Sequence, residues 1–216
     1  MEKFEQVLVT EEYLRKVFTD SDNFSSEAEK QNKIDSLVRT ANIGRTIAKA
    51  EGINEDAVAI GCLLLDISYA VPFTDNDYKN HGRDSAVIAR SFLKELGIGE
   101  EFIDSICYAI AKHVDGNAGF NGDDNYLTDA ILSADMIEKF SSVKLFENLD
   151  VVDFYNLSLE NKLEIISNML EKLRNEEERV FITNTAKNLW MDNIGFQEVF
   201  YRNLQKQLLA GKEITE

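Results

Sequence analysis

Scarcities in this sequence narrow its possible structures first. It holds one proline, Pro72, and 11 glycines spread thinly over 216 residues. Long helices therefore run without breakers, which argues against the frequent tight turns of an all-β chain. Two cysteines, Cys62 and Cys107, are too few for a disulfide framework, and their apolar helical surroundings make them reduced core thiols. Long apolar runs are also missing: the longest, Ala57 to Leu65, falls far short of the ~20 residues that span a bilayer. The opening MEKFEQ lacks the basic stretch and apolar segment of a signal peptide, so the expectation is a cytoplasmic protein with no membrane partner. Positive charge is scarce too, with 23 Lys and Arg against 39 Asp and Glu and a net charge of −16. Such a field repels phosphate backbones and argues against general nucleic-acid binding. A pocket can still take a small anion, because a distant field is screened within roughly 8 Å.

What is present points to helices around a core. Hydrophobic residues make up 44% of the chain, with 13 phenylalanines among them. The expectation is one all-α domain over residues 1–216. Ile34, Leu37, Val38, Ala41 and Ala48 recur at helical spacing toward a C-cap at Gly52. Asn54 then caps a helix whose run AVAIGCLLLDI is apolar nearly all round, as a central buried helix is. Tyr69 to Asn80 reads as a polar loop. Ser85, Ile88, Ala89, Phe92, Leu93 and Leu96 form the next stripe, ended by Gly97. A helix continues the chain from about Glu100 to His113, then the loop DGNAGFNGDDN, whose spacing does not match a calcium-binding loop. Asp129 to Phe140 is helical. In the last third, packing helices over about 158–210 carry two stripes: Leu163, Ile166, Leu170 and Leu173, then Ile182, Ala186, Leu189, Phe196 and Phe200.

Imidazole chemistry has only two residues to use, His81 and His113. His113 continues the inward stripe of Ile103, Ile106 and Ile110, and Asp135 shares a face with Ile131 and Leu132. Asp66 ends the most apolar helix. Buried carboxylates and imidazoles are costly unless paired or bound to a metal, so groups from several helices suggest a shared polar site. Each taken alone is more readily a helix cap or a neighbour's partner, and only their combined order favours a site.

The stretch RTANIGRTIAKAEGINEDAVAIGCLLLDIS, then NHGRDSAVIARSFLKELG, AIAKH and LSADMIEKF, resembles the HD-domain phosphohydrolase superfamily, most closely its small bacterial stand-alone proteins. The likeness runs from about residue 34 to 140 and more weakly through TNTAKNLWMDNIGFQEVFYRNLQKQLLAG. It implies an HD-like helical bundle with additional C-terminal helices and one or two divalent metals held among them. It also implies that the metal motif is eroded. Ser36 stands where the first histidine would be, and Leu65 replaces the histidine of the His-Asp pair, leaving Asp66 and Asp135 as metal ligands. His81 and His113 fall on the auxiliary histidine positions, as acid, base or extra ligand. Together these four are a plausible set for Mn²⁺, Fe²⁺, Ni²⁺ or Zn²⁺. Arg83 either grips a phosphate or pairs with Asp84 or Glu95, and Arg39 lies one turn from Ser36.

Three functions are consistent with this pattern. The first is a catalytically impaired HD-fold protein that binds a small phosphorylated molecule or nucleotide. The second is an active metal-dependent phosphohydrolase with a reorganised site. The third is a non-enzymatic scaffold that forms a homodimer through its C-terminal helices.

Overall fold

The computed structural model describes residues 3–72 and 79–211, and among them the fold is all-α. The chain forms two compact units, Met1–Glu138 and Lys139–Glu216. The first holds nearly all of residues 34–140, and the second holds the packing helices expected over 158–210. No helix among the described residues is long and apolar enough to cross a membrane.

The first unit contains α1 (Lys3–Thr19), α2 (Glu27–Glu51), α3 (Glu55–Leu64), a 3₁₀ turn (Ile67–Ala70), α4 (His81–Glu95), α5 (Glu100–Lys112) and α6 (Tyr126–Lys139, of which Lys139 begins the second unit). Its ends are set by local chemistry. The Ser26 hydroxyl accepts from Glu29 N and starts α2, while Gly52, at φ 69°, closes it in the left-handed conformation that a glycine adopts without strain. Asn54 then caps α3 by accepting from Ala57 N, as its position in the sequence predicts. The run from Ala57 to Leu64 is buried throughout, so α3 is the central helix. Close packing against α6 depends on Gly61, because a Cβ there would run into the Ile131 side chain. Cys62 and Cys107 are free and buried; burial, with the Asp135 charge, pushes the Cys62 thiol far up, and burial raises that of Cys107 to about 11. Neither is a nucleophile at neutral pH. The centre of the polar loop expected over Tyr69 to Asn80, residues 73–78, lies outside the described residues.

The second unit contains α7 (Ser142–Val151), a 3₁₀ turn (Phe154–Asn156), α8 (Leu159–Glu176) and α9 (Asn184–Ala210), with Ser141, Ser158 and Thr183 as N-caps. Ile166, Leu170 and Leu173 of α8 point inward as expected. The inward face of α9 differs from the expected stripe: Ala186, Trp190, Ile194, Gln197 and Tyr201 are buried, whereas Ile182 and Phe196 are about half exposed. The face is turned by about one residue because Trp190, the largest apolar side chain, takes the interior. Its ring meets Phe140 and Phe181, and its indole N–H donates to Glu176 O at 3.0 Å. A cavity of ≈ 650 Å³ lies in this unit, walled by Phe146, Leu149, Phe154, Tyr155 and Leu204 among others.

Candidate metal centre

Three elements of the first unit bring Asp66, His81 and His113 together, the one group of three or more His, Cys, Asp or Glu donors among the described residues whose ligand atoms all lie within 4.8 Å. Asp66 sits at the break between α3 and the 3₁₀ turn, with φ −117° and ψ 25°. His81 opens α4 and His113 follows the last turn of α5. Buried hydroxyls fix the first two. Ser68 Oγ donates to His81 O at 3.0 Å, Ser85 Oγ donates to Ser68 Oγ at 2.9 Å, and Ser68 N donates to Ser85 Oγ at 3.1 Å. The helices carrying the two histidines touch at Gly82, where a Cβ would meet the backbone oxygen of Ile110 at 2.9 Å and that of Ala111 at 3.1 Å.

The three donor atoms form a nearly equilateral triangle. Asp66 Oδ1 is 3.3 Å from His81 Nε2 and 3.3 Å from His113 Nε2, and the two nitrogens are 3.2 Å apart. Ligands ~2.0–2.1 Å from a tetrahedral ion stand ~3.3–3.4 Å from one another, so the triangle has the dimensions of one face of such a site. It is less well suited to hydrogen bonding, since charge-assisted N–H···O bonds run to ~2.7–2.9 Å. Asp66 Oδ1 is buried and has no hydrogen bond of proper geometry.

The placement of protons bears on the same choice. His113 Nδ1 lies 2.6 Å from Ile110 O, and a carbonyl only accepts, so Nδ1 carries the proton. Neutral His113 then turns a lone pair on Nε2 toward Asp66 Oδ1. Two arrangements relieve that conflict: a second proton on His113, or a cation among the three donors. Burial lowers the His113 pKa, but the Asp66 carboxylate beside its ring, then the Asp135 charge, outweigh it and leave it raised. Burial likewise raises the Asp66 carboxyl, yet Lys33 and the two imidazoles hold it well below the usual carboxylate range. Lys33 Nζ is 2.6 Å from Asp66 Oδ2 and 4.0 Å from the centroid of the Tyr69 ring.

None of the other expected site residues is a corner of this triangle. Asp135 is not one of its three corners, although its charge acts on His113. Ser36 faces Glu138, with Ser36 Oγ 3.3 Å from Glu138 Oε1, and Arg39 closes an ion pair on the same oxygen at 2.8 Å. Glu138 is 2% exposed. Leu65, 1% exposed, is part of the core. Arg83 pairs neither with Asp84 nor with Glu95: its guanidinium meets Asp115, Asn117 O, Asn80 Oδ1 and Lys79 O. Its two terminal nitrogens thereby tie the start of α4 to the loop after α5.

Lys33, Glu138 and Gly82 do not stand out in the sequence. Lys33 and Glu138 each carry a signal, lying three residues from Ser36 and Asp135 respectively on a shared helix face. Gly82 carries none, because its role depends on the backbone of another helix.

Compared with family models, curated proteins and solved structures, the chain finds no match in any of the three.

Proposed function

We propose that this chain is an HD-like phosphohydrolase relative reduced to one divalent ion, held by Asp66, His81 and His113, which binds a small phosphorylated molecule or nucleotide and turns it over slowly. The triangle of donor atoms with 3.2–3.3 Å sides carries the reading. A bound divalent ion supplies Lewis acidity to a phosphoryl oxygen and lowers the pKa of water. Three protein ligands leave a coordination position open to substrate, as catalytic rather than structural sites do. The residues around it fit that role. Ile110 O fixes the His113 tautomer with Nε2 toward the site, the usual arrangement for a ligating histidine. Asp66 is held ionised. Slow turnover is expected from what is missing: Ser36 and Leu65 offer no imidazole, Ser36 is engaged with Glu138, and Leu65 is buried.

Equilibrium dialysis of Mn²⁺-loaded and EDTA-treated protein against nucleoside monophosphates, with release of phosphate monitored in parallel, tests this. Binding that requires the ion, with turnover slow or absent, is the expected result. Binding that is indifferent to EDTA refutes it, and fast turnover favours the active phosphohydrolase instead.

A specific observation favours a homodimer as a second reading. Val180, Ile182, Met191, Phe196, Val199 and Leu209 of the second unit are all 40% or more exposed. A neighbouring copy is one way to cover them. Light scattering coupled to gel filtration gives the mass, and a Phe196→Glu, Val199→Glu variant of monomer mass beside a dimeric parent supports it; a monomeric parent ends this reading.

A further inference from the structure

The single ion proposed for Asp66, His81 and His113 uses one oxygen of Asp66, and any role for Lys33 beyond pairing with the other oxygen rests on the same reading. Lys33 lies on α2 one turn before Ser36, and its ammonium is bound at 2.6 Å to Oδ2 of Asp66, while Oδ1 of that carboxylate faces the two histidines. Asp66 therefore presents one oxygen to a resident cation and the other to the ion position. The Tyr69 ring, 4.0 Å from Nζ, holds the ammonium over its face. An ammonium has three N–H donors, and the Asp66 carboxylate takes one. The Lys33 side chain keeps 26% exposure, so donor capacity remains open to solvent beside the ion position.

We infer that Lys33 is the phosphate-recognition residue of this site, and that the ligand class is a phosphate monoester in its dianionic form, held by the ammonium and the ion together. The charge count supports that class. Asp66 and Lys33 cancel, and after the Asp135 charge that reaches His113 is counted, a divalent ion still leaves the site net positive, which attracts a dianionic end group more strongly than a monoanionic diester. Lysine acts toward phosphate as a compact point charge, suited to a freely rotating terminal phosphate.

The same position gives Lys33 two effects of opposite sign. Its charge, beside a ligand carboxylate, weakens the hold on the ion; its free donors strengthen the hold on phosphate. Lys33→Met and Lys33→Gln, each checked for native helicity by circular dichroism, separate these from a structural role. Mn²⁺ alone is titrated calorimetrically into wild-type and variant protein. Phenyl phosphate and its methyl diester are then titrated into the Mn²⁺-loaded forms. Wild-type protein should prefer the monoester. The variants should bind Mn²⁺ as tightly or several-fold tighter, yet lose about tenfold in phenyl phosphate affinity, the worth of one charge-assisted hydrogen bond. Lys33→Arg should recover part of that loss.

Weakening of both ion and monoester binding in the variants assigns Lys33 to holding Asp66 in place and overturns the inference. Unchanged monoester affinity overturns it as well, while leaving the ion site standing. A wild-type protein that takes up no Mn²⁺ removes the one-ion reading itself, and this proposal with it.

Discussion

Replacing Asp66 by asparagine tests the electrostatics of the centre most severely, because the substitution keeps shape and removes one charge. In the metal-free protein that charge compensates Lys33 at 2.6 Å and favours the protonated form of His113, whose Nε2 lies 3.3 Å away. Breaking a fully buried pair from one side costs ~3–5 kcal/mol, and an exposed pair is worth ~0–1 kcal/mol. With side-chain exposures of 15% for Asp66 and 26% for Lys33, the pair is closer to the buried limit. The Asp66→Asn variant should lose about 2–3 kcal/mol in EDTA. At ~2–4 °C per kcal/mol for a chain of this size, that lowers Tm by roughly 4–12 °C. Far-UV circular dichroism is the suitable probe, because the only tryptophan, Trp190, belongs to the second unit. Zinc or manganese at a hundred times its Kd should add about 2.7 kcal/mol to wild-type protein and nothing to the variant. A loss below about 0.5 kcal/mol in EDTA would mean that the Asp66 charge is not compensating its neighbours. An equal metal-dependent gain in both proteins would place the ion elsewhere.

Stability of the metal-free protein should also depend on pH in a defined direction. The His113 pKa is raised above its ordinary value of 6.5, so its contribution is complete below that value and is lost as pH rises through the folded-state pKa. The Asp66 pKa lies well below 3.8, so its contribution is present above that value and is lost as pH falls through the folded-state pKa. Urea midpoints in EDTA should therefore fall as pH rises above 6.5 in wild-type protein and stay flatter in His113→Gln; equal slopes count against the raised imidazole. Gly82→Ala should separate the helices bearing the two histidines and cost about 1–3 kcal/mol together with metal affinity, as seen in a lower Tm and a weaker calorimetric signal. Unchanged metal binding in that variant would contradict the close approach of α4 and α5. Tyr201→Phe should leave stability unchanged or raise it by up to about 1 kcal/mol, since the buried hydroxyl has no hydrogen-bond partner; a clear fall in Tm would show that one exists.

Helical periodicity and capping residues make most of the fold legible in the sequence. Gly52, Asn54 and the apolar run of α3 mark their ends by local chemistry alone. The face of α9 is less legible because several phases of its apolar residues compete, and only packing around Trp190 selects one. At the site, residue type and burial pattern single out Asp66 and His113 but put Asp135 beside them, and His81 is marked only as one of two histidines. Which donors meet is not legible, because that depends on how α3, α4 and α5 converge across Gly82. Lys33 is hidden for a physical reason: a lysine on a helix surface is usually solvated, and nothing local reveals that its stem crosses to a carboxylate on another element. Arg83 shows the converse, since an arginine beside a histidine suggests a ligand grip until its loop acceptors are seen.

The central claim is that Asp66, His81 and His113 hold one ion together. Elemental mass spectrometry of protein stripped with EDTA, reloaded with Mn²⁺, Fe²⁺, Ni²⁺ or Zn²⁺ and desalted, measures this directly. About one equivalent in wild-type protein, lost in Asp66→Ala, His81→Ala and His113→Ala and retained at least in part in Asp135→Ala, is the predicted outcome; no retained metal, or loss only in Asp135→Ala, contradicts it.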